Sequence, residues 1–487
     1  MIGSTIGYAD RKLGWELALG LPVAIGLALA IALLPLTWTV LLVLGSVVLL
    51  LVLVQPRLGL ALVIVAVPFG TVQQVRLGVM NVGLTEALLA LTVGSWLMHL
   101  AIRREVVPQR VTWPALFWPL AVFVGVLFLS SLVTWSLQHS VKELVKWLEV
   151  LLVYLLAALG VNDRWARALV LTAIITGGLA ALQGVYQFLF RVGPEGFILF
   201  DRFMRAYGTF EQPNPYGGYL GLTLPLALGL VVVAALGLGR WSRGWRWFTL
   251  AMAGVCAAVM LAALVMSWSR GAWLGFGAAV VGMAAALVVK SGRVAVLSVI
   301  LVALVAYILL AGGLARIPPS LVQSFSDFVP YLGVSDVRGV EVTDANFAVI
   351  ERVAHWQAAW KMWTDHPWLG VGVGNYEPVY TRYALPQWQL PLGHAHNYYL
   401  NIAAETGIVG LGAYLSLWGV ALLQTWRLVR RGSGWELGVA LGVLGAVIHL
   451  SVHNFVDNLY VHGMYLHLAI LLGLAAGIAR TKEVQPQ

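Results

Sequence analysis

RWFTLAMAGVCAAVMLAALVMSWSRGAWLGFGAAVVGMAAALVVK, residues 246–290, reads as two apolar runs parted by a Ser269-Arg270-Gly271 break. Each run, 246–268 and 271–290, approaches the roughly 20 residues that a helix needs to cross a bilayer. Cys256, the only cysteine, lies inside the first run, so no disulfide framework or thiolate metal site is available. An arginine in so tight a break has no obvious packing role. Arg270 is therefore conspicuous.

The same pattern extends in both directions. Further apolar runs lie near 15–35, 38–54, 58–70, 84–102, 112–135, 140–161, 165–190, 215–238, 293–313, 400–427, 434–455 and 459–479. The expected architecture is an all-α polytopic membrane protein with about 12–14 transmembrane helices and a large, partly helical extracytoplasmic loop. The run at 58–70 is short for a span and reads as tilted or re-entrant. A chain that is 60% hydrophobic and 10% charged, with mean hydropathy +0.86, is excluded from the soluble globular class.

The net charge of +9 would suggest nucleic acid if the cations formed one patch. Instead most of the 30 basic residues sit in alternate short loops, among them Arg57, Arg103, Arg104, Arg164, Arg167, Arg240, Arg243, Arg430 and Arg431. That is the pattern by which Lys and Arg orient spans, and it disfavours nucleic-acid binding. It puts both termini in the cytoplasm and the loops 191–214 and 314–396 outside. The first run has no small-residue cleavage site and is read as an uncleaved span. Four segments follow: helices at 1–200, central helices with arginine motifs at 201–313, an extracytoplasmic loop at 314–399, and C-terminal helices at 400–487.

Polar residues on the outward side are the candidates for chemistry. Arg202, Arg205 and Asn214 precede or open the helix near 215, and Arg352 lies in the long loop. Guanidinium groups bind phosphate through a fixed planar fork, and a helix start adds amide donors for an anion. Lys142, Lys146 and Glu149 share one helical stripe, in which the glutamate neutralises the lysines. Within the long loop, Asp344–Thr364 reads as an amphipathic helix, and Gly370, Gly372 and Gly374 permit a turn back toward the membrane. The loop ends at His394, His396, Asn397 and Tyr398, followed by Glu405, Gly407 and Gly410. Imidazole titrates near neutral pH, so a histidine here is a natural proton acceptor. His394 either orients His396 or caps the loop; Glu405 either supports the site or caps its helix. His453 and Asp457 face outward between the last two spans, where they either line the same cavity or, the favoured reading, serve a structural role.

Taken together, Arg205…Pro213-Asn214, Ser269-Arg270-Gly271, His366-Pro367…Gly370…Gly372…Gly374 and His396-Asn397…Gly407…Gly410 resemble the O-antigen ligase superfamily over about residues 200–460. The resemblance implies a membrane-embedded glycosyltransferase of the C type, in the bacterial cytoplasmic membrane, with its active site on the outer face. An undecaprenyl-diphosphate glycan would be the donor and a hydroxyl-bearing glycan, lipid or protein the acceptor, with membrane lipid around a monomer. Neither metal nor other cofactor is implied. Arg205 and Arg270 would hold the diphosphate, and His396 would deprotonate the acceptor hydroxyl with inversion at the anomeric carbon. Asn214, Arg202, Arg352, His394, Asn397, Tyr398, Glu405 and His453 are expected around the substrate.

A repeat-unit polymerase and a protein O-oligosaccharyltransferase fit the same motifs. From another class, a small-anion, bicarbonate-like transporter is the alternative, weakened because mid-span charges are nearly absent. A scaffold for wall assembly would not need the outward arginines.

Overall fold

A computed structural model of the chain describes residues 33–70, 74–77, 80–102, 112–199, 202–293, 336–343 and 346–484, with Gly26 and Val296. The expected spans at 15–35 and 293–313 fall almost wholly outside these residues. The protein is an all-α polytopic membrane protein.

The helices are α1 (Leu36–Val54), α2 (Pro56–Phe69), α3 (Leu84–Ile102), α4 (Phe117–Ser130), α5 (Leu137–Gly160) and α6 (Asp163–Phe190). There follow α7 (Pro213–Ala235), α8 (Arg243–Met266), α9 (Arg270–Val288), α10 (Phe347–Asp365), α11 (Tyr398–Arg431), α12 (Gly434–His453) and α13 (Met464–Val484). Among the described residues eight are long and apolar enough to cross a membrane, and α2, α4 and α13 carry shorter apolar stretches. Two small hairpins complete the chain: β1 (Gln74–Leu77) with β2 (Met80–Gly83), and β3 (Ile198–Leu199) with β4 (Phe203–Met204).

Local chemistry explains the helix starts. Pro56 and Pro213 occupy first-turn positions, where a missing N–H costs nothing. Asn162 caps α6 by accepting from the Trp165 amide, and Ser242 caps α8 by accepting from Trp245.

The run at 112–135 is helical over only part of its length, because a turn closed by the Phe117 amide on the Pro114 carbonyl precedes the helix. Asp344–Thr364 was expected as one helix; the observed α10 begins three residues later at Phe347.

At the centre, α7 and α12 are the most buried spans. Their backbones nearly touch through glycines spaced by four along α12. A Cβ on Gly442 would stand 2.4 Å from Leu226 Cα, and one on Gly229 would stand 2.3 Å from the Gly438 carbonyl oxygen. Between apolar helices in lipid, such close approach supplies the association that the hydrophobic effect cannot. Gly442→Leu should therefore destabilise the purified protein by about 1–3 kcal/mol or more, read as a lower melting temperature in detergent.

The bundle has two chemically distinct ends. At one, Asp163, Arg167, Arg240, Ser433, Trp435 and Glu436 line a cavity of about 610 Å³, and Arg167 lies over the rings of Trp245 and Trp435. Those arginines belong to the loops that the charge pattern assigned to the cytoplasm. The opposite end gathers the arginine and histidine motifs.

Candidate functional site

Three arginines from three separate parts of the chain meet at that end. Arg205 follows β4, Arg270 opens α9, and Arg352 lies one turn into α10; with Asn214, Ser269, His453 and Asp457 they line a cavity of about 200 Å³. The placement begins at the break between α8 and α9. Trp268 takes a left-handed backbone (φ +52°), and the Ser267 hydroxyl accepts the Ser269 amide. Arg205 fastens this break: its Nε donates to the Ser267 carbonyl at 3.0 Å, and its Nη2 donates to the Trp268 carbonyl and to Asn214 Oδ1, both at 3.3 Å. Gly271 lets α9 approach α12, since a Cβ there would stand 2.8 Å from His453 Cδ2.

Electrostatics report how close the cations are. Burial, then Arg270 and Arg352, push the Arg205 guanidinium down to about 10. Cations gathered in one cavity are an arrangement whose mutual repulsion a bound anion would offset.

Beside it stands the histidine cluster. His396 has a left-handed backbone (φ +51°), uncommon for a residue with a side chain, and both its ring nitrogens are buried without a hydrogen bond. Burial, and after it His394, Arg352 and His355, lower its pKa to about 2, so its imidazole is neutral. His394 accepts the His396 amide through Nδ1 at 3.0 Å. A neutral His394 therefore carries its proton on Nε2, which lies 4.0 Å from Asp457 Oδ1. The Trp356 indole donates to the His396 carbonyl, and the His355 ring stands edge-on to the His396 ring at 5.6 Å.

His394, His396 and Asp457 offer ligand atoms that all lie within 4.8 Å of one another, a spacing that would accept a cation. Two features oppose one. Nδ1 of His394 already accepts a backbone amide, and the positive charge of Arg352 reaches both histidines.

Several expected site residues have other partners. Asn397 caps α11, accepting the amides of Tyr399 and Leu400. Tyr398 is buried among Tyr414 and Tyr460. Glu405 is buried and accepts the Tyr376 amide through Oε1, while its own carbonyl accepts the amide of Gly372 and the hydroxyl of Ser130. It anchors the glycine turn to a break in α11 at Gly407 (φ +65°), where a Cβ would collide with the Trp368 backbone. Arg202 is exposed, over the Phe203 ring, and does not line the cavity. Lys146 pairs with Glu143, not with Glu149 as the stripe suggested; Glu149 instead accepts the Tyr465 hydroxyl.

Sequence reasoning missed His355 and undervalued Asp457. His355 bonds the Tyr376 hydroxyl through Nδ1 at 2.8 Å and stacks on Tyr380. Its three-residue spacing from Arg352 was the available signal.

Burial and the neighbouring His394 lower the pKa of His355 to about 4. A depressed histidine pKa means that the unfolded chain binds the proton first, so stability is lost as pH falls below about 6.5. Between pH 7.5 and pH 5, His355 should cost up to about 2 kcal/mol, and His396 adds to the same slope. A melting temperature that stays flat over that interval would contradict the assignment.

The family match takes in part of this end of the molecule together with α9. Residues 255–415 match the family described as O-antigen ligase. This stretch is similar to that family. It contains Arg270, Arg352, His394, His396, Asn397 and Glu405, while Arg205, Asn214, His453 and Asp457 lie outside it. The match is narrower than the 200–460 over which the motifs suggested a resemblance. No curated protein matches the chain. O-antigen ligase or polymerase-type function, with a lipid-linked glycan donor and an acceptor, is what this family indicates in general.

Proposed function

We propose that the protein is an inverting glycosyltransferase that moves a glycan from undecaprenyl diphosphate to an acceptor hydroxyl at the outer face of the cytoplasmic membrane. One observation carries the reading: Arg205, Arg270 and Arg352 surround a single cavity beside a neutral, hydrogen-bond-free His396. Arg205 and Arg270 bind the diphosphate and neutralise the charge that grows on it as its bond to the anomeric carbon breaks. The acceptor oxygen forms its new bond to that carbon from the opposite side, and its proton passes to a ring nitrogen of His396. Undecaprenyl diphosphate leaves with the bonding electron pair. Diphosphate is already a good leaving group, so positioning and charge stabilisation suffice. A bound diphosphate also raises the basicity of His396 by offsetting the arginine charge that depresses it.

Arginine charge, not a divalent cation, serves the leaving group in this reading. The test is transfer of a labelled glycan from undecaprenyl diphosphate by the purified protein in proteoliposomes, with an excess of EDTA in a parallel sample. Transfer should persist in EDTA with release of undecaprenyl diphosphate. Loss of transfer on chelation, with recovery on adding a divalent metal, would move the chemistry to His394, His396 and Asp457 as metal ligands.

A further inference from the structure

A second cavity lies farther along the same helix. Ala348 and Arg352 of α10 line the arginine cavity, and Trp356 and Trp360 line the second, of about 580 Å³. These four positions recur every four residues, so one stripe of α10 runs from the first cavity into the second. Arg352 and Trp360 stand about 12 Å apart along the axis, at 1.5 Å per residue. His396 sits between them: Arg352 acts on its ring, and Trp356 donates to its carbonyl. A transfer reaction needs the acceptor beside the donor, with its hydroxyl within reach of the base. The first cavity is small and cationic, as a diphosphate requires. The second lies in the range of about 300–1,000 Å³ typical of pockets that enclose an organic ligand.

Its walls carry residue types that suit a sugar. Trp356, Trp360 and Tyr383 line it with aromatic rings, whose faces can pack against the C–H faces of pyranose rings. Between them stand Gln357, Lys361 and Arg382, whose N–H groups suit hydroxyl and carboxylate oxygens. Among the described lining residues the one carboxylate, Asp336, is paired with Arg338. Lys361 and Arg382 therefore give the described lining an excess of positive charge, Arg382 being held over the Trp135 ring at 4.0 Å.

From this arrangement we propose that the second cavity binds an acidic saccharide chain, the acceptor, and presents its hydroxyl to His396. The assignment of this chain as acceptor rests on the transfer reading above; the saccharide site itself does not. Equilibrium dialysis of the full-length protein in nanodiscs against labelled tetragalacturonate, chitotetraose and maltotetraose tests it without turnover. Tetragalacturonate should bind most tightly, and Trp360→Ala or Lys361→Ala, both on exposed side chains, should each weaken it at least tenfold. Arg270→Ala should keep this binding while losing transfer, which separates a failure of the site from a failure of the enzymatic reading. If no tetrasaccharide binds, if the neutral ones bind as well as the acidic one, or if both variants bind like the parent, the inference is overturned.

Discussion

His396→Ala should lower glycan transfer by about 10²–10⁴-fold, the usual contribution of a positioned general base, while leaving the protein folded. The stability half of this expectation comes from the hydrogen-bond inventory. The His396 ring makes no hydrogen bond, so deleting it orphans no partner. Its backbone stands at φ +51°, where a side chain is strained, so His396→Gly should melt at or above the temperature of the parent while being equally inactive. A residue that is structurally dispensable, strained and required for turnover is one held for chemistry. Added imidazole should restore part of the activity of the alanine variant, because the truncation leaves a space shaped for that ring. Transfer at the parental rate in His396→Ala would transfer the role of base to His355 or His394, or end the mechanism.

Much of this was legible before any coordinates, for reasons that differ by element. Spans announce themselves by length and apolarity, because lipid admits little else. The Arg270 break and the glycine turn at 370–374 also carry local signals. What local sequence does not carry is the partner across the fold. Lys146 finds Glu143 rather than Glu149, and Asn397 and Glu405 spend their polar groups on the amides of Tyr399, Leu400 and Tyr376. For Asn397 and Glu405, polarity beside a histidine motif is ambiguous in sequence between catalysis and capping.

Asp457 shows the reverse. It is distant in sequence from His394 and lay in a short connection that appeared structural, yet the fold sets its carboxylate against that ring and into the arginine cavity. His355 was hidden by the apolar stripe of α10, which drew the eye to Trp356, Trp360 and Trp363. Tertiary assembly creates these relations, and the only linear signal was the three-residue spacing of His355 from Arg352.

Arg270→Ala should lower transfer by about 10³-fold or more, the scale of removing a fixed cation from a phosphorus-bearing leaving group. Arg270 and Arg352 both depress the neighbouring Arg205 guanidinium, a repulsion that a bound anion offsets. Arg205→Ala should also disturb the fold, because Arg205 donates to the Ser267 and Trp268 carbonyls and holds the break that positions Arg270. It should lose activity and melting temperature together. Binding of an undecaprenyl-diphosphate analogue should raise the melting temperature of the parent and do so far less in either variant. Arg270→Lys should recover only part of the loss, since a point charge replaces a planar fork. If the analogue raises the melting temperature of Arg270→Ala as far as that of the parent, the anion site argued from the convergence of the three arginines does not exist.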